Sequence, residues 1–279
     1  MTDSTQNSID QARNGVALVS DLVKAAADSP EGKIAAKNIG KTAVTVTKAL
    51  NHLLLPVAAF NFVIERAGQY FQRDFQPEME AKMADIPPDK VVEPKATVAG
   101  PALQGLAFAH EEPELKELFL NLLASAMDGR KADTAHPAFV EVLKQLTGEE
   151  ARLLRGPLTV KGMLPVAQIH AISSASASTS LLHNHVGYTQ AADGSLVEIE
   201  ALAAMVDNWI RLGLVHVTYL TSVTDLDGSD PYGWVEMHPL YKIALAQAHE
   251  QGYGVKVVPG SMRPTNFGQL FAIAVGMMD

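Results

Sequence analysis

The chain has 279 residues and no cysteine. Disulfide bonds, thiolate metal sites and cysteine nucleophiles are therefore excluded, and a reducing compartment is expected. The first fifteen residues are polar, without the basic and apolar stretches of a secretory signal. These two features predict a cytoplasmic protein.

Basic residues are scarce in the second half of the chain. Only five of the 22 Lys and Arg residues follow Pro157, and the formal net charge is −9. A protein with this balance is repelled by phosphate backbones unless it carries a local basic patch. Nucleic acid is therefore not an expected partner.

The sequence has no run of about 18 or more apolar residues, the length that a membrane-spanning helix needs. Its most apolar stretch, ALNHLLLPVAAFNFVI at 49–64, is interrupted by Asn51, His52, Pro56 and Asn61. We interpret 49–64 as a buried core helix. The alternative is a helix that lies on a membrane surface or inserts when released, since polar groups are costly at the bilayer centre. In that case the protein is membrane-associated when active.

Catalytic motifs are also absent. No phosphate-binding glycine loop, dinucleotide fingerprint or nucleophile elbow occurs, and no cofactor is expected. His183 and His185 have a spacing that can supply two metal ligands from one strand. No third ligand accompanies them, so ordinary surface histidines are the alternative. A non-enzyme is the preferred interpretation, and an enzyme stays open.

Helical periodicity and helix-end signals predict an all-helical domain over 1–157. Glu112-Pro113-Glu114 marks a helix start, and Asp128-Gly129 marks the end of the same helix. Thr147-Gly148-Glu149-Glu150 has the form of a capping box, in which threonine and glutamate bind the first free amides. His136-Pro137 precedes another helix, where we expect the imidazole to cap or pack.

The sequence pattern of residues 158–279 predicts a smaller α+β module. Ser173 to Ser180 is predicted to be a loop, and Val197 to Leu212 an amphipathic helix. A β-hairpin (214–237) follows, with its returning strand over Tyr232 to Met237. This order is winged-helix-like. The predicted hairpin tip contains Asp225, Asp227 and Asp230. An acidic tip favours packing or protein contact over DNA binding.

The stretch from Met83 to Leu154 holds a series of motifs. In order they are Ile86-Pro87-Pro88-Asp89, Glu93-Pro94, Ala99-Gly100-Pro101-Ala102-Leu103, Glu114-Leu115-Lys116-Glu117-Leu118-Phe119, Asn121-Leu122-Leu123-Ala124-Ser125-Ala126-Met127-Asp128, His136-Pro137-Ala138-Phe139-Val140 and Gln145-Leu146-Thr147-Gly148-Glu149-Glu150-Ala151. Later landmarks are Arg211-Leu212-Gly213-Leu214 and Thr265-Asn266-Phe267-Gly268-Gln269-Leu270-Phe271. Together these motifs resemble the abortive infection alpha (Abi-alpha) family of bacteria. Ala138 and Gly148 depart mildly from the family pattern.

The resemblance implies a role in anti-phage defence, in which infected cells arrest or die before the phage matures. It supplies no catalytic residues. The motif residues to which we assign a structural or interaction role are Pro87, Glu93, Pro94, Gly100, Pro101, Asn121, Leu122, Leu123, Asp128, His136, Pro137, Phe139 and Glu150.

Three mechanisms stay open for such a defence protein. It can act through contact with a protein partner, or on a membrane through 49–64. It can be a hydrolase or nuclease-type toxin whose site the sequence does not reveal. It can also be a non-enzymatic scaffold or regulator that forms a homo-oligomer.

Overall fold

The computed structural model describes residues 61–174, 177–185, 189–190, 196–197, 199, 201–224, 230–251 and 254–278. Most of the apolar stretch 49–64, and the predicted hairpin tip at 225–229, lie outside these ranges. Contacts divide the chain into two compact units. One unit takes in the described residues from Asn61 to Arg152 together with Ile273 to Met278, and the other takes in the described residues between Leu153 and Ala272.

Helices account for most of the described residues between 61 and 159. They are α1 (Asn61–Arg73), α2 (Phe75–Met83), α3 (Ala96–Ala109), α4 (Pro113–Met127), α5 (Pro137–Leu143) and α6 (Gly148–Thr159), with a 3₁₀ helix at Pro88–Lys90. The prediction of a helical first half is confirmed for these residues. No helix in the part of the chain that the structure describes is both long enough and apolar enough to cross a bilayer.

The core of the helical unit is built on α3 and α4. Leu106 and Leu122 are fully buried, and Phe119 is almost so. Gly105 lets the two helices approach, because a Cβ there would lie 2.5 Å from Phe119 Cζ. The apolar stripe of α4 therefore packs closely against α3, as its 3.6-residue spacing predicts.

The second unit contains a four-stranded antiparallel sheet. Its strands are β1 (Leu164–Ser174), β2 (Ala177–His185), β5 (Val215–Thr218) and β6 (Gly254–Pro264), in the order β2-β1-β6-β5. β3 (Thr189–Gln190) and β4 (Leu196–Val197) form a separate pair. The helices are α7 (Leu202–Arg211), α8 (Pro239–Gln251) and α9 (Asn266–Ala274). A helix-rich fold with a small α+β part is thus confirmed.

Two of the predicted loop and strand assignments in this unit are wrong. Ser173 to Ser180 is mostly strand, because β1 runs to Ser174 and β2 begins at Ala177. Small polar residues have little strand preference of their own. Here β1 is paired with β6 from Leu164 to Ile172, and pairing with β2 extends the hairpin. Non-local hydrogen bonds outweigh the local preference.

The second error concerns the hairpin predicted over 214–237. Its returning strand is instead a 3₁₀ helix at Gly233–Met237, and β5 pairs with β6. Side-chain bonds favour the turn, since Trp234 Nε1 donates to Pro231 O (3.0 Å) and Tyr232 OH donates to Gly260 O (2.6 Å). The aromatic residues pack on buried Ala167, Ile169 and Val235. Tyr232 and Trp234 therefore reach the core from a turn and a 3₁₀ helix, although their pattern is also typical of a strand.

Candidate functional site: a polar cleft in the helical unit

The helical unit has an open cleft of about 370 Å³ with mainly polar walls. It is formed by one face of α1, the start of α2, the α3–α4 turn and the first turn of α4. The lining residues are Arg66, Gln69, Tyr70, Arg73, Asp74, Glu78, His110, Glu111 and Lys116.

One face of α1 provides four of these side chains. Arg66, Gln69, Tyr70 and Arg73 occur at i, i+3, i+4 and i+7, a spacing that places them on the same side of a helix. Tyr70 is 5% exposed and forms the floor, whereas the other three are exposed. The face therefore combines a buried aromatic ring with long polar side chains at the rim.

A closed inner network is built around Tyr70. Its hydroxyl donates to Glu78 Oε2 (2.8 Å), and Lys116 Nζ donates to Glu78 Oε1 (2.5 Å). The ammonium also lies 5.7 Å from the centroid of the Tyr70 ring, within cation–π range. Burial, together with the nearby Glu78 carboxylate, raises the pKa of Tyr70 well above its usual range. Tyr70 therefore stays protonated and is a donor only toward Glu78.

His110 completes the inner network. Its ring stacks on Tyr70, with centroids 5.2 Å apart. His110 Nδ1 lies 2.9 Å from the carbonyl oxygen of Ala107. A carbonyl can only accept, so Nδ1 carries the hydrogen and Nε2 presents a lone pair when the ring is neutral. The imidazole is held in one tautomer by the backbone.

The outer rim is held much more loosely. Arg66 Nη1 lies 2.7 Å from Glu111 Oε1, but both side chains are more than half exposed. Exposed pairs of this kind contribute little. Within the described ranges, the side chains of Gln69, Arg73 and Asp74 form no hydrogen bond or ion pair. The cleft thus has a satisfied interior and a rim that is free to bind.

The groups at the edge of the cleft can bind a ligand. Both oxygens of Glu78 already accept a hydrogen bond, one from Tyr70 and one from Lys116. In the described part of the chain, no group of three or more His, Asp and Glu residues could hold a metal ion. The free capacity of the cleft lies in guanidinium, amide and imidazole groups at its edge.

Many of the motif residues have a structural role in the helical unit. Gly100, Leu122, Leu123 and Phe139 are buried in the helical core. Pro101 lies within α3, and Pro137 begins α5. Pro94 borders a small apolar cavity, while Pro87 and Glu93 are exposed. None of the thirteen motif residues lines the described walls of the polar cleft.

Asp128 joins the Pro-Pro-Asp segment to the end of α4. Val91 and Asp128 form an isolated β-bridge, in which Val92 N donates to Met127 O (2.9 Å). Asp128 is 3% exposed and accepts from Arg130 Nε (2.8 Å) and Nη2 (2.6 Å). These bonds from Arg130 lower the pKa of the Asp128 carboxyl. Asp128 therefore holds the segment around Val91 beside the end of α4, and it does not line the cleft.

The predicted helix caps are present. His136 Nδ1 accepts from Ala138 N (3.1 Å) at the start of α5. Thr147 and Glu150 form the reciprocal capping box, since Glu150 N donates to Thr147 Oγ1 (3.1 Å) and Thr147 N donates to Glu150 Oε2 (2.9 Å). A further cap was not predicted: Glu112 Oε2 accepts from Gly148 N (3.0 Å).

Asn121 anchors the C-terminal residues of the helical unit. Its Nδ2 donates to Val275 O (2.9 Å), and Val275 is fully buried. Gly276 follows with φ +70°, and a Cβ there would lie 2.8 Å from Asn121 Nδ2. A left-handed glycine in this position lets the chain turn beside the amide.

The two late landmarks meet in the second unit. Thr265 Oγ1 donates to Gly213 O (2.5 Å), and Thr265 N donates to Leu214 O (3.0 Å). Gly268 N in turn donates to Thr265 Oγ1 (2.9 Å). Gly213 adopts φ +72° after α7. These hydrogen bonds connect the residues that follow α7 to the start of α9.

His183 and His185 lie near the end of β2, where His185 is paired with Ala167. Their side chains are outside the described residues, so the metal hypothesis stays a prediction.

The cleft was missed by sequence reasoning. Its only local signal is the polar stripe on α1, and the partners Glu78 and Lys116 lie eight and 46 residues from Tyr70.

Comparison with known proteins gives one match over most of the chain. A family model described as Abortive infection alpha matches residues 67–275. A solved structure of an uncharacterized protein from the hydrocarbon-degrading marine bacterium Alcanivorax borkumensis SK2 is 16% identical, covering 53% of this chain and 96% of that chain with a TM-score of 0.30. No curated protein matches the chain.

Proposed function

The chain belongs to the abortive infection alpha family, and from this premise we propose that it is a bacterial anti-phage protein that acts by abortive infection. The family match over residues 67–275 is the observation that carries the proposal. The matched range includes every motif on which the resemblance rests, from Ile86 to Phe271, so the helical unit and the second unit are both part of the proposed function.

Protein contact is the proposed mode of action. Buried, capping and bridging roles occupy most of the motif residues, and the described cleft offers binding groups rather than a catalytic set. In this proposal the C-terminal module presents a protein-contact surface and not a DNA-reading element. The protein works in the cytoplasm, with a protein partner or as a homo-oligomer.

Membrane perturbation is the second candidate, and the apolar stretch 49–64 favours it. Dye release from liposomes distinguishes the two modes. Leakage at micromolar protein would support a membrane effector, whereas intact liposomes together with a captured protein partner would support contact. Light scattering of the purified chain decides whether the contact is with a second copy.

The test of the defence role is phage infection of cells that carry the gene under an inducible promoter. The matched control is the same gene with an early stop codon. At low phage-to-cell ratio we expect fewer plaques and a surviving culture. At high ratio we expect the infected cells to stop growing without a burst.

Unchanged plating and burst size across a broad phage panel would overturn the proposal. Growth arrest without phage would instead indicate a toxin. A hydrolase or nuclease would then be tested by the metal content of the purified protein and by replacing His183 and His185.

A further inference from the structure

We propose that the outer rim of the polar cleft binds the oxyanion group, phosphate or carboxylate, of a small molecule through Arg66, Gln69 and Arg73. This inference is independent of the defence role, because it rests on the geometry of the cleft. Phage plating can fail while ligand binding succeeds, and the reverse also holds.

The first argument is the unused binding capacity of α1. The guanidinium of Arg73 and the amide of Gln69 form no hydrogen bond within the described part of the chain, although both border the cleft. Arg66 and Arg73 are two helical turns apart, about 10 Å along the axis. Gln69 lies between them on the same face. Guanidinium groups offer paired N–H donors that match carboxylate and phosphate oxygens.

The second argument is that a carboxylate already occupies one end of this rim. Glu111 Oε1 lies 2.7 Å from Arg66 Nη1. We interpret Glu111 as an internal occupant of the position that a ligand oxyanion would take. Because the side chains of Arg66 and Glu111 are 64% and 57% exposed, an incoming anion can displace the glutamate at small cost.

The other carboxylates do not cancel this preference. Glu78 is held by Tyr70 and Lys116, so its charge is already balanced. Asp74 precedes the first residue of α2 and is exposed, so solvent screens its repulsion of a bound anion. At the rim, a ligand anion therefore competes mainly with Glu111 for the two arginines.

The contacts of Tyr70 at the floor of the cleft hold the arginine-bearing face of α1 in place. Tyr70 is buried, is stacked on His110 and is bonded to Glu78, so the face of α1 that carries the arginines is fixed to α2 and the α3–α4 turn. A volume of about 370 Å³ suits a small molecule of mononucleotide or dicarboxylate size.

The experiment is isothermal titration of the full chain with three probes: inorganic phosphate, adenosine monophosphate and succinate. Three single variants are titrated beside the unchanged protein. Arg73→Gln removes a binding group, and Glu111→Gln removes the internal competitor. Arg152→Gln is the matched control, an exposed arginine on α6 that pairs only loosely with Glu149 (3.7 Å).

We expect saturable binding of at least one probe, weakened about tenfold or more by Arg73→Gln, since a hydrogen bond to a charged group is lost. Glu111→Gln should tighten binding severalfold, and Arg152→Gln should leave it unchanged. Added salt should weaken binding, because the rim is exposed. Phosphate and adenosine monophosphate binding without succinate binding would identify a phosphate ligand. Binding of succinate alone would identify a carboxylate.

Two results would overturn the proposal. One is that no probe binds either the unchanged protein or the Glu111→Gln variant. The other is binding that Arg73→Gln and Arg152→Gln change equally. Circular dichroism of each variant checks that the fold is retained, which we expect because all three side chains are exposed.

Discussion

A methyl group added at Gly268 would have no space to occupy. Gly268 lies in the first turn of α9, and an added Cβ would overlap the carbonyl oxygen of Leu214 and lie 2.9 Å from its carbonyl carbon. Leu158 Cδ2 would be only 3.1 Å away. The nearest obstacle is backbone, so it cannot move aside as the end of a flexible side chain can.

The expected cost of Gly268→Ala follows from three terms. Overpacking of a well-packed region costs about 1–3 kcal/mol. Pushing Leu214 away also weakens the hydrogen bond from Thr265 N to Leu214 O, worth about 1 kcal/mol. Alanine gains up to about 1 kcal/mol in helix propensity. The net expectation is a loss of about 2 kcal/mol in the free energy of unfolding.

Gly68→Ala is the matched control. Gly68 also lies inside a helix, α1, but no described atom apart from its own helix backbone and chain neighbours comes within 4 Å of its added Cβ. The same chemical change should therefore stabilise the helical unit by about 0.5–1 kcal/mol, through reduced backbone entropy of the unfolded chain, and circular dichroism follows its unfolding. Two Gly→Ala substitutions with opposite signs separate local packing from propensity.

Tryptophan fluorescence during urea unfolding is the assay. The chain has two tryptophans, Trp209 and Trp234, and both belong to the unit Leu153–Ala272. The signal therefore reports the unit that contains Gly268. With a slope of about 2 kcal/mol per molar urea, the midpoint should fall by about 1 M for Gly268→Ala. A midpoint equal to or above that of the unchanged protein would refute the close approach of α9 to Leu214.

Three further predictions concern the helical unit and can be measured by urea unfolding followed by circular dichroism. His136→Ala should cost about 1 kcal/mol by removing the α5 cap, while His136→Asn should retain most of it; equal losses would argue against capping. The bonds from Arg130 lower the pKa of the Asp128 carboxyl, so its stabilising effect is present above the pKa of the unfolded chain and is lost as the pH falls through the lower folded pKa. Asp128→Asn should therefore destabilise at neutral pH and flatten the loss of stability in acid below about pH 4, and an unchanged acid profile would contradict this. Gly276→Ala should cost about 1–2 kcal/mol, because φ is +70° and the added Cβ meets Asn121, and an unchanged midpoint would count against this turn.

Helix ends were the most predictable part of the fold. The start of α4 at Pro113, its end before Asp128 and the box joining Thr147 to Glu150 are all local in sequence. Each depends on residues within one or two turns, which satisfy the free amides and carbonyls of the helix. The order of the residues is therefore enough to predict them.

Sheet pairing and the cleft were less predictable, because their determinants are distant in sequence. β1 is extended through Ser173 because β2 and β6 pair with it, and serine itself has no such preference. In the same way, Tyr70 looks like one more core aromatic until Glu78 and Lys116 are brought beside it. Glu112 is predicted only as part of the helix-start signal of α4, and it also caps α6, 36 residues further along the chain.

The anchoring of Val275 by Asn121 has a genetic consequence. The residues from Ile273 onward follow the second unit in sequence, yet they belong to the unit whose other helices precede Arg152. A nonsense mutation at codon 273 would therefore damage the helical unit, although it lies more than 100 residues after the helices of that unit that precede Arg152. The truncation would expose the surface of the helical unit that Val275 and Met277 cover. It would also remove the Val275 carbonyl to which the Asn121 amide donates. Screens for loss of function should accordingly find a truncation at residue 273 as damaging as substitutions in α4.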